Sequence, residues 1–405
     1  MINKNLDFKN HIQKVHLNKK FERKFLKNFT KITKEINHEI NNPSKTLNIL
    51  HKKFKFNFKF KDLKKFKKYN TIVLIGMGGS ILGSEAVNNF MEKKIKKKIY
   101  FFNNINLQEM IKFKKKENHK KVLFLIISKS GNTIETLSNF FSLKVLKKNS
   151  KNIIIISEKK NNILFTLVKK FNLFYIEHRK NIGGRYSVLS EVGIVPSYLM
   201  GINIFKLRSN IRFFLKNKNY LFLKDSVIKL SSIFNSKKIS NLVFLNYSPE
   251  LEKFLFWCQQ LIAESLGKKG KGFLPIISTA PKDHHSLLQL YLDGPKNNLY
   301  YIFSFNEVSK EKINLKNLLF EKNFLDKKTL SSIKKAQKKS IIQSFKKNKI
   351  PFREFKIKKI NEETLGELFA YFMIETAYIG KLTKLNPFDQ PAVEQVKYYT
   401  KKLLN

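Results

Sequence analysis

The sequence predicts an α/β protein with two doubly wound parallel sheets and helical extensions at both ends. First, short continuous apolar runs alternate with stretches of helical length, as in a parallel sheet whose two faces are covered by helices. Second, this alternation occurs twice, in residues 71–157 and again in residues 241–360, with the helical run Val188 to Leu215 as the connection. Third, no low-complexity linker separates the two sets, so we expect the two domains to share an interface.

The predicted elements divide the chain into four segments. The arm at residues 1–66 is rich in Lys, Phe and Asn with weak helical periodicity, and we expect it to be helical. The first domain, at 67–215, contains the expected strands "TIVLIGM", "KIYFFNN", "KVLFLIIS" and "NIIIIS". The second domain, at 216–360, contains "NLVFLNYS", "GFLPIIST", "LYYIFSF" and "FREFKIKKI". Residues 361–405 are expected to be helical apart from a break at "KLNPFDQPA", and to complete a site.

The charge of the chain is unusual, although its length and apolar content are not. The 405 residues carry a formal net charge of +50, which raises the question of an anionic partner such as nucleic acid. Only six of the basic residues are Arg, and the lysines are spread over the whole chain rather than clustered. Proteins that read nucleic acids usually concentrate their basic residues and use Arg for bidentate contacts. We therefore expect a solvated lysine surface and no nucleic-acid partner; steep salt dependence of RNA retention would argue otherwise.

Cysteine content and apolar runs predict the compartment. Cys258 is the single cysteine, which excludes a disulfide framework and a cysteine metal cluster and fits a reducing cytosol. The N-terminal stretch "MINKNLDFKNHIQK" has no apolar core of the kind found in signal peptides. The longest weakly charged run, Val192 to Phe205, is interrupted by Pro196 and Gly201 and is too short to span a bilayer. We expect a soluble, cytoplasmic protein without a membrane partner.

Two turns that follow apolar runs carry the first signs of a ligand site. The turn "IGMGGSILGSEA" places Gly79 and Ser80 where a backbone can approach a ligand closely and helix N–H groups face it. It is not a dinucleotide fingerprint, because Ile81 stands where that pattern needs glycine, and no acidic residue ends the next strand. A tight strand-to-helix turn without a ligand is the alternative.

The second turn, "SKSGNT", follows the run "VLFLII" and precedes a helical segment. Its hydroxyls at Ser128, Ser130 and Thr133 converge where a helix N-terminus favours an anion, and Lys129 is a candidate for added positive charge unless its side chain faces solvent. Capping alone requires one hydroxyl, and this turn offers three. The P-loop pattern is absent, so a single phosphate on a small molecule fits better than a nucleoside triphosphate.

Five motifs in order give a resemblance to a known family. "GMGGSILG" and "SKSGNTIET" resemble the turns of a sugar isomerase domain, a doubly wound module that binds phosphosugars. The segments "NIGGRYSVLSEVGIVP" and "NPFDQPAVEQVK" are similar to the two signatures of the glucose-6-phosphate isomerase family, and "AESLGKKGKGFLPIISTAPKDHHSLLQLYLDG" resembles the catalytic middle of its compact bacterial members. The resemblance covers residues 71 to 405. It implies two sugar isomerase domains and interconversion of glucose 6-phosphate and fructose 6-phosphate in glycolysis and gluconeogenesis.

The resemblance also implies roles for individual residues. Glu264 matches the base that moves a proton between adjacent carbons through an enediol, and Arg185 matches the arginine that stabilises the developing enediolate charge. Gln390 matches a substrate contact. Asn132 stands where bacterial members commonly have threonine, which leaves the phosphate contact of its side chain open.

Ring opening needs a second acid–base group. "DHHS" matches the segment that carries the ring-opening histidine, and the alignment favours His285 over His284. Lys397 matches the lysine that works beside this histidine. In the family the histidine enters the site from the neighbouring subunit, so the resemblance implies a homodimer, with neither a metal ion nor a cofactor.

Three alternatives remain open from the sequence. A bifunctional phosphoglucose and phosphomannose isomerase shares the glycine and "SKSG"-type turns, and activity on mannose 6-phosphate would favour it. A non-catalytic phosphosugar sensor would explain both turns, but it leaves the joint occurrence of Glu264, His285 and Lys397 unexplained. The third alternative is the nucleic-acid partner considered above.

Overall fold

The computed structural model describes residues 3–315 and 323–404, apart from the side chains of residues 217 and 218. The strands are β1 Leu6–Asn10, β2 Thr71–Gly76, β3 Lys98–Phe102, β4 Val122–Ile127, β5 Ile153–Ser157, β6 Phe174–Glu177, β7 Asn241–Asn246, β8 Leu274–Thr279, β9 Asn298–Phe305 and β10 Phe352–Ile357. The helices are α1 Lys19–Asn41, α2 Phe60–Leu63, α3 Leu82–Phe90, α4 Leu107–Lys116, α5 Ile134–Ser142, α6 Ile163–Phe171, α7 Glu191–Leu199, α8 Ile204–Ser209, α9 Asn217–Ser236, α10 Glu252–Leu266, α11 Leu288–Asp293, α12 Leu330–Lys347, α13 Glu362–Leu382 and α14 Glu394–Leu404.

The strands form two five-stranded sheets that share one winding pattern. The first has the order β3-β2-β4-β5-β6, and all its pairs are parallel. The second has the order β8-β7-β9-β10-β1, and only the last pair is antiparallel. In each sheet the first parallel strand, β2 or β7, lies between the two parallel strands that follow it in the chain. The prediction of two doubly wound sheets is confirmed, and all eight predicted strands are present.

The central strands are apolar because both of their faces are covered. Every residue of β4 and every residue of β5 is buried, and neither strand carries a charge. Such continuous apolar runs are what a parallel strand between two helical layers requires. The side chains that reach a ligand therefore come from the loops at the carboxyl ends of the strands, not from the strands themselves.

The prediction of a helical arm at residues 1–66 is wrong at its beginning. Residues Leu6–Asn10 form β1, which pairs antiparallel with β10 at the edge of the second sheet. Leu6 and Phe8 are buried, with Phe8 opposite Phe355, while the residues between and after them face outward. This two-residue alternation is typical of a half-buried edge strand, and it spans only five residues of a lysine-rich segment. The strand β6 was also not predicted; it is a four-residue edge strand with one buried residue.

The C-terminal segment contains the predicted helices, but they differ in burial. Nearly every residue of α13 is buried, as expected of a helix that is apolar on all sides, whereas no residue of α14 is buried. The four segment boundaries stay a prediction. Within the described residues, no helix has the length and apolar character needed to cross a bilayer.

Candidate active site

A buried arginine, Arg185, lies at the centre of the candidate site. It belongs to the helical turn Gly184–Leu189, and its side chain is inaccessible to solvent. Its Nη1 donates a hydrogen bond to Glu264 Oε2 at 3.1 Å, and its Nε donates one to Ser265 Oγ at 2.8 Å. Both partners lie in the last turn of α10, so this helix sets the direction of the guanidinium group. The two residues matched to the base and to the charge-stabilising group are thus in direct contact.

The loop between α13 and α14 holds the other side of the same guanidinium. Arg185 Nη2 donates to the backbone oxygens of Pro387 at 2.8 Å and Asp389 at 2.9 Å, and Nη1 also donates to Gln390 Oε1. Together with the two bonds to α10, every N–H group of the guanidinium has an acceptor. A negative charge that develops beside Glu264 would therefore meet a positive charge whose position is already fixed.

The carboxylate of Glu264 is oriented by two donors and remains accessible. Its Oε1 accepts a hydrogen bond from Gln260 Nε2 at 2.8 Å, while its Oε2 accepts from Arg185. The side chain keeps 31% of its surface exposed, so a small molecule can reach it. Gln260 was not predicted as a site residue. Its only sequence signal is its position one helical turn before Glu264, which places both side chains on one face of α10.

The glycine turn packs directly against the turn that carries Arg185. A Cβ atom on Gly79 would lie 2.1 Å from the carbonyl carbon of Gly184 and 2.4 Å from the nitrogen of Arg185. Ser187 Oγ donates to the Gly79 backbone oxygen at 3.2 Å, and Ser80 is buried beside it. The glycine is therefore required for a close approach of two backbones. Its predicted role as a ligand contact stays a prediction.

The second predicted turn gathers its three hydroxyls at the N-terminus of α5. Ser128 Oγ lies 2.8 Å from Thr133 Oγ1, and Ser130 Oγ lies within 3.5 Å of both. Thr133 is the N-cap residue of α5, but its side chain makes no capping bond to the helix. The hydroxyls bond to one another and to the turn, where they stand beside the free N–H groups of a helix end. Capping does not account for this cluster.

Lys129 is half-buried, and its side chain faces the loop of residues 178–183 instead of solvent. This segment leads to Arg185 and is called the Arg185 loop below. Its Nζ donates to the backbone oxygen of Lys180 at 2.7 Å and lies 3.8 Å from Glu158 Oε1. Burial lowers the pKa of Lys129, and the charge of Glu158 partly offsets this effect. The hydroxyl turn is thereby connected to the loop that leads to Arg185. Asn132, whose role was left open, caps a neighbouring helix: its Oδ1 accepts from Ile163 N at 2.9 Å.

The two adjacent histidines have different surroundings. His284 Nε2 is 2.7 Å from the hydroxyl of Tyr247, and partial burial, followed by the charge of His285, lowers the pKa of His284. His285 is exposed and forms no hydrogen bond or ion pair with any residue that the structure describes. His284 is thus occupied inside its own chain, whereas His285 projects from the surface. Neither histidine contacts Glu264 or Arg185.

Lys397 is also outside the Arg185 cluster. It lies on the exposed helix α14, where its Nζ is 2.6 Å from Glu394 Oε1, one helical turn earlier. The structure therefore brings Arg185, Glu264 and Gln390 together, adds Gln260 and Ser265, and links the two predicted turns to this cluster. It does not bring His285 or Lys397 to that cluster within one chain.

Comparisons with known proteins identify the family. A family profile described as "Phosphoglucose isomerase" matches residues 33–405, which is most of the chain. The chain belongs to the phosphoglucose isomerase family. The resemblance stated from the motifs is therefore confirmed.

Two relatives show how far this membership extends along the chain. A "Probable glucose-6-phosphate isomerase" of Methanococcus maripaludis is 35% identical over 84% of this chain and 80% of that protein. A "Glucose-6-phosphate isomerase" of Campylobacter jejuni is 32% identical over 84% of this chain and 86% of that protein. Both alignments cover at least four fifths of either chain.

Solved structures support the fold of a phosphoglucose isomerase family member. A hypothetical protein of Thermus thermophilus has a TM-score of 0.81 and 23% identity, with 98% of this chain and 99% of that chain covered. A glucose-6-phosphate isomerase of Chlamydia trachomatis has a TM-score of 0.68 and 19% identity, with 85% and 71% covered. At these identities the similarity establishes the architecture and not the chemistry.

Proposed function

We propose that this chain interconverts glucose 6-phosphate and fructose 6-phosphate, as an enzyme of glycolysis and gluconeogenesis. The observation that carries the proposal is the contact between Arg185 and Glu264, in a family whose relatives are named for this reaction. The accessible carboxylate of Glu264 removes the proton from carbon 2 of the open aldose and returns it to carbon 1. The electron pair forms the carbon–carbon double bond of an enediolate while the carbonyl electrons move to the oxygen on carbon 1, and Arg185 stabilises this oxygen charge. The proton of the carbon 2 hydroxyl passes to the oxygen on carbon 1, so that the new carbonyl group forms at carbon 2.

The phosphate of the substrate binds at the two turns. Ser128, Ser130 and Thr133 offer three converging hydroxyls at the N-terminus of α5, where the helix dipole favours an anion. Lys129 adds a positive charge from the side of the Arg185 loop, and Gly79 and Ser80 contact the sugar. Gln390 binds the substrate from the C-terminal loop. This arrangement places an anionic group at one end of the site and the base at the other.

The ring-opening groups come from two copies of the chain. His285 is exposed and without a hydrogen-bond partner among the described residues, which fits a side chain that completes the site of a second copy in a homodimer. In the homodimer, Lys397 on α14 acts beside this histidine. His284 is held by Tyr247 and supports the segment. The enzyme acts in the cytoplasm and needs neither a metal ion nor a cofactor.

The first experiment measures formation of glucose 6-phosphate from fructose 6-phosphate in the presence of EDTA. We expect wild-type turnover, and a loss on the order of 1,000-fold in Glu264→Gln, since the amide cannot accept the proton. Glu250→Gln, at a partly exposed position before α10, is the matched control and should keep full activity. Unchanged activity in Glu264→Gln would refute the assignment of the base. Bound substrate without wild-type turnover would indicate a phosphosugar sensor.

A complementation experiment tests the shared site. Glu264→Gln and His285→Asn chains are each expected to be nearly inactive, but mixed dimers contain one site with an intact glutamate and an intact histidine. Refolding the two variants together should therefore restore a substantial fraction of activity. No recovery would mean that the histidine acts within its own chain. His284→Asn should retain more activity than His285→Asn, and the reverse order would exchange their roles.

Substrate range decides between the two isomerase candidates. The same purified chain is assayed with mannose 6-phosphate, whose configuration differs from that of glucose 6-phosphate only at carbon 2. Turnover at a rate comparable to the glucose 6-phosphate reaction would favour the bifunctional enzyme. We expect at least a 100-fold preference for glucose 6-phosphate, because a fixed guanidinium and base discriminate between the two configurations.

A further inference from the structure

The two sheets are wound in the same way, so the carboxyl ends of β2 and β4 in the first sheet have equivalents in the second. In the first sheet, β2 lies between β3 and β4, and the candidate phosphate turns follow β2 and β4. In the second sheet, β7 lies between β8 and β9 in the same way. Ligands of open α/β sheets bind outside the carboxyl ends of the strands where the winding reverses. The equivalent position of the second sheet is the crevice after β7 and β9, which the proposed function does not use.

A small cavity opens at this crevice. It has a volume of about 50 Å³ and is lined by Tyr247 after β7, by Ser304 and Asn306 at the end of β9, and by lysines of α12. An adjoining cavity of about 210 Å³ shares three of its lining residues, Lys335, Lys338 and Lys356. The smaller space suits a compact anionic group, and the larger one leaves room for whatever is attached to it.

Lys338 is the residue at the centre of the crevice. It is partly buried on the inner face of α12, and its Nζ donates to the hydroxyl of Ser304 at 2.9 Å. Among the described residues no carboxylate lies within ion-pair distance of this ammonium group, and burial lowers the pKa of Lys338. A cation that is taken out of water without a counter-ion carries a desolvation penalty, which a bound anion would offset.

Two of the three carboxylates that line these cavities are already engaged elsewhere. Glu354 Oε1 is 2.6 Å from His11 Nε2, and Glu307 is paired with Lys334. The third, Asp7, lines only the larger cavity, where its Oδ1 has no hydrogen-bond partner among the described residues.

Lysines without a carboxylate partner give this crevice a local excess of positive charge. Lys335, Lys338 and Lys339 of α12 have no ion-pair partner among the residues that the structure describes. This local excess is separate from the dispersed lysine surface because it surrounds a cavity and includes the partly buried Lys338.

We propose that this crevice binds the phosphate group of a small molecule, with Lys338 and Lys335 as the cationic contacts and the Ser304 hydroxyl as a further donor. Lysine ammonium groups act as point charges with three donors each, and several of them suit a multiply charged anion with many oxygens. The site is distinct from the hydroxyl turn, and it stands whether or not the isomerase proposal holds.

The test counts bound phosphate on the full chain. Equilibrium dialysis with radiolabelled inorganic phosphate in 150 mM NaCl is expected to find two phosphates per wild-type chain. Lys338→Met should lower the count to one, with at least a tenfold weaker second site, and Ser128→Ala/Thr133→Ala should remove the other phosphate. Lys346→Met, at an exposed position of the same helix, is the control and should still bind two. Thermal unfolding of each variant verifies that it is folded.

Three results would overturn the second site. One is a wild-type count unaffected by Lys338→Met; another is equal losses in Lys338→Met and Lys346→Met, the sign of a diffuse ion atmosphere. The third is a Lys338→Arg variant that binds as weakly as Lys338→Met, because the retained charge should rescue binding. In the Ser128→Ala/Thr133→Ala chain, competition by glycerol 3-phosphate below the concentration needed for unlabelled phosphate would identify an organic phosphate as the ligand. The opposite order would identify inorganic phosphate.

Discussion

At Gly79, the absence of a side chain lets the two halves of the candidate site meet. The glycine turn follows β2 and the Arg185 turn follows β6, the first and last strands of the first sheet along the chain, and their backbones touch where any Cβ atom on Gly79 would overlap Gly184. Gly183, two residues before Arg185, shows the contrast. A Cβ atom there would meet only the Phe388 oxygen, at 3.6 Å, which is an ordinary contact. Neighbouring glycines of one site are therefore required to different degrees.

This contrast predicts the effect of two alanine substitutions. Gly79→Ala should displace the Arg185 turn and lower kcat/KM on the order of 100-fold, because small displacements of catalytic groups have large effects on rate. Gly183→Ala should stay close to the wild-type value. Steady-state assays of the proposed reaction with both variants provide the measurement. Equal effects of the two substitutions would show that backbone contact at Gly79 is not the determining factor.

His178 predicts a pH dependence of stability. It is fully buried after β6, where burial lowers its pKa to about 4; the charge of Lys129 acts in the same direction, and that of Glu158 opposes it. Below the ordinary pKa of 6.5, the unfolded chain binds a proton that the folded chain excludes. The free energy of unfolding should therefore fall as the pH drops from about 6.5 to 4, by about 3 kcal/mol in all.

Urea unfolding between pH 7 and pH 4 measures this contribution. The comparison is the slope of the unfolding free energy against pH in wild type and in His178→Phe, which keeps a ring at the position. The variant should lose part of the slope, while a substitution at the exposed His38 should not change it. Parallel slopes in wild type and His178→Phe would mean that the buried ring does not exclude the proton.

At the scale of elements, a buried ion pair joins the second sheet to its covering helix. Arg353 on β10 donates from both Nη atoms to Glu375 on α13, at 3.0 and 2.8 Å, and both side chains are buried. The hydroxyls of Tyr301 and Tyr371 accept from the same guanidinium. Removing one member of such a pair leaves a charge without compensation in the interior.

The expected energies follow from this geometry. Glu375→Gln should lower the free energy of unfolding by about 3–5 kcal/mol, because the guanidinium stays buried and loses its counter-ion. The double variant Arg353→Met/Glu375→Leu removes both charges and should be less destabilised than Glu375→Gln. A double-mutant cycle in urea, built from Arg353→Met, Glu375→Leu and the double variant, completes the measurement. Additive effects of the single changes would show that the pair is not coupled.

Helices and central strands could be predicted from the sequence better than edge strands and the contacts between side chains. Long apolar runs marked the central strands, because a strand buried on both faces has no other pattern. The edge strands β1 and β6 were not predicted, since four or five residues with one side covered leave too short a signal. The five-motif resemblance selected Arg185, Glu264 and Gln390, and the fold brings them together. Gln260 was not selected, because an i, i+4 spacing on a helix is shared by many residue pairs.

The fold does not bring His285 and Lys397 to the cluster around Arg185, and the physical reason is the same for both residues. His285 and Lys397 lie on exposed segments of a single chain, and a motif carries no information about which surface meets a second copy. In the proposed function their contribution depends on a homodimer, and a local sequence motif does not describe such an assembly. The hydroxyl turn is the opposite case, because its three side chains lie within six residues of each other and converge through local geometry alone.

At the scale of the whole molecule, the charge of +50 predicts a salt dependence of stability. Like charges repel one another in the compact state, and salt shortens the range of that repulsion from about 30 Å at 10 mM to about 4 Å near 500 mM. The urea midpoint should therefore rise steadily as NaCl is added over this range. Urea is the suitable denaturant because it is uncharged. A midpoint that falls with salt would mean that favourable ion pairs outweigh the net repulsion.

The pairing of β1 with β10 has a consequence for how the chain folds during synthesis. Residues Leu6–Asn10 are made long before their partner strand, because the 341 residues between Asn10 and Phe352 must be synthesised before the second sheet can close. Until then β1 has no partner, and other nascent chains can pair with its free backbone edge. Asp7 and Lys9, on the face of β1 opposite to Phe8, place charges along that early strand, a feature that discourages such intermolecular pairing before its partner is made.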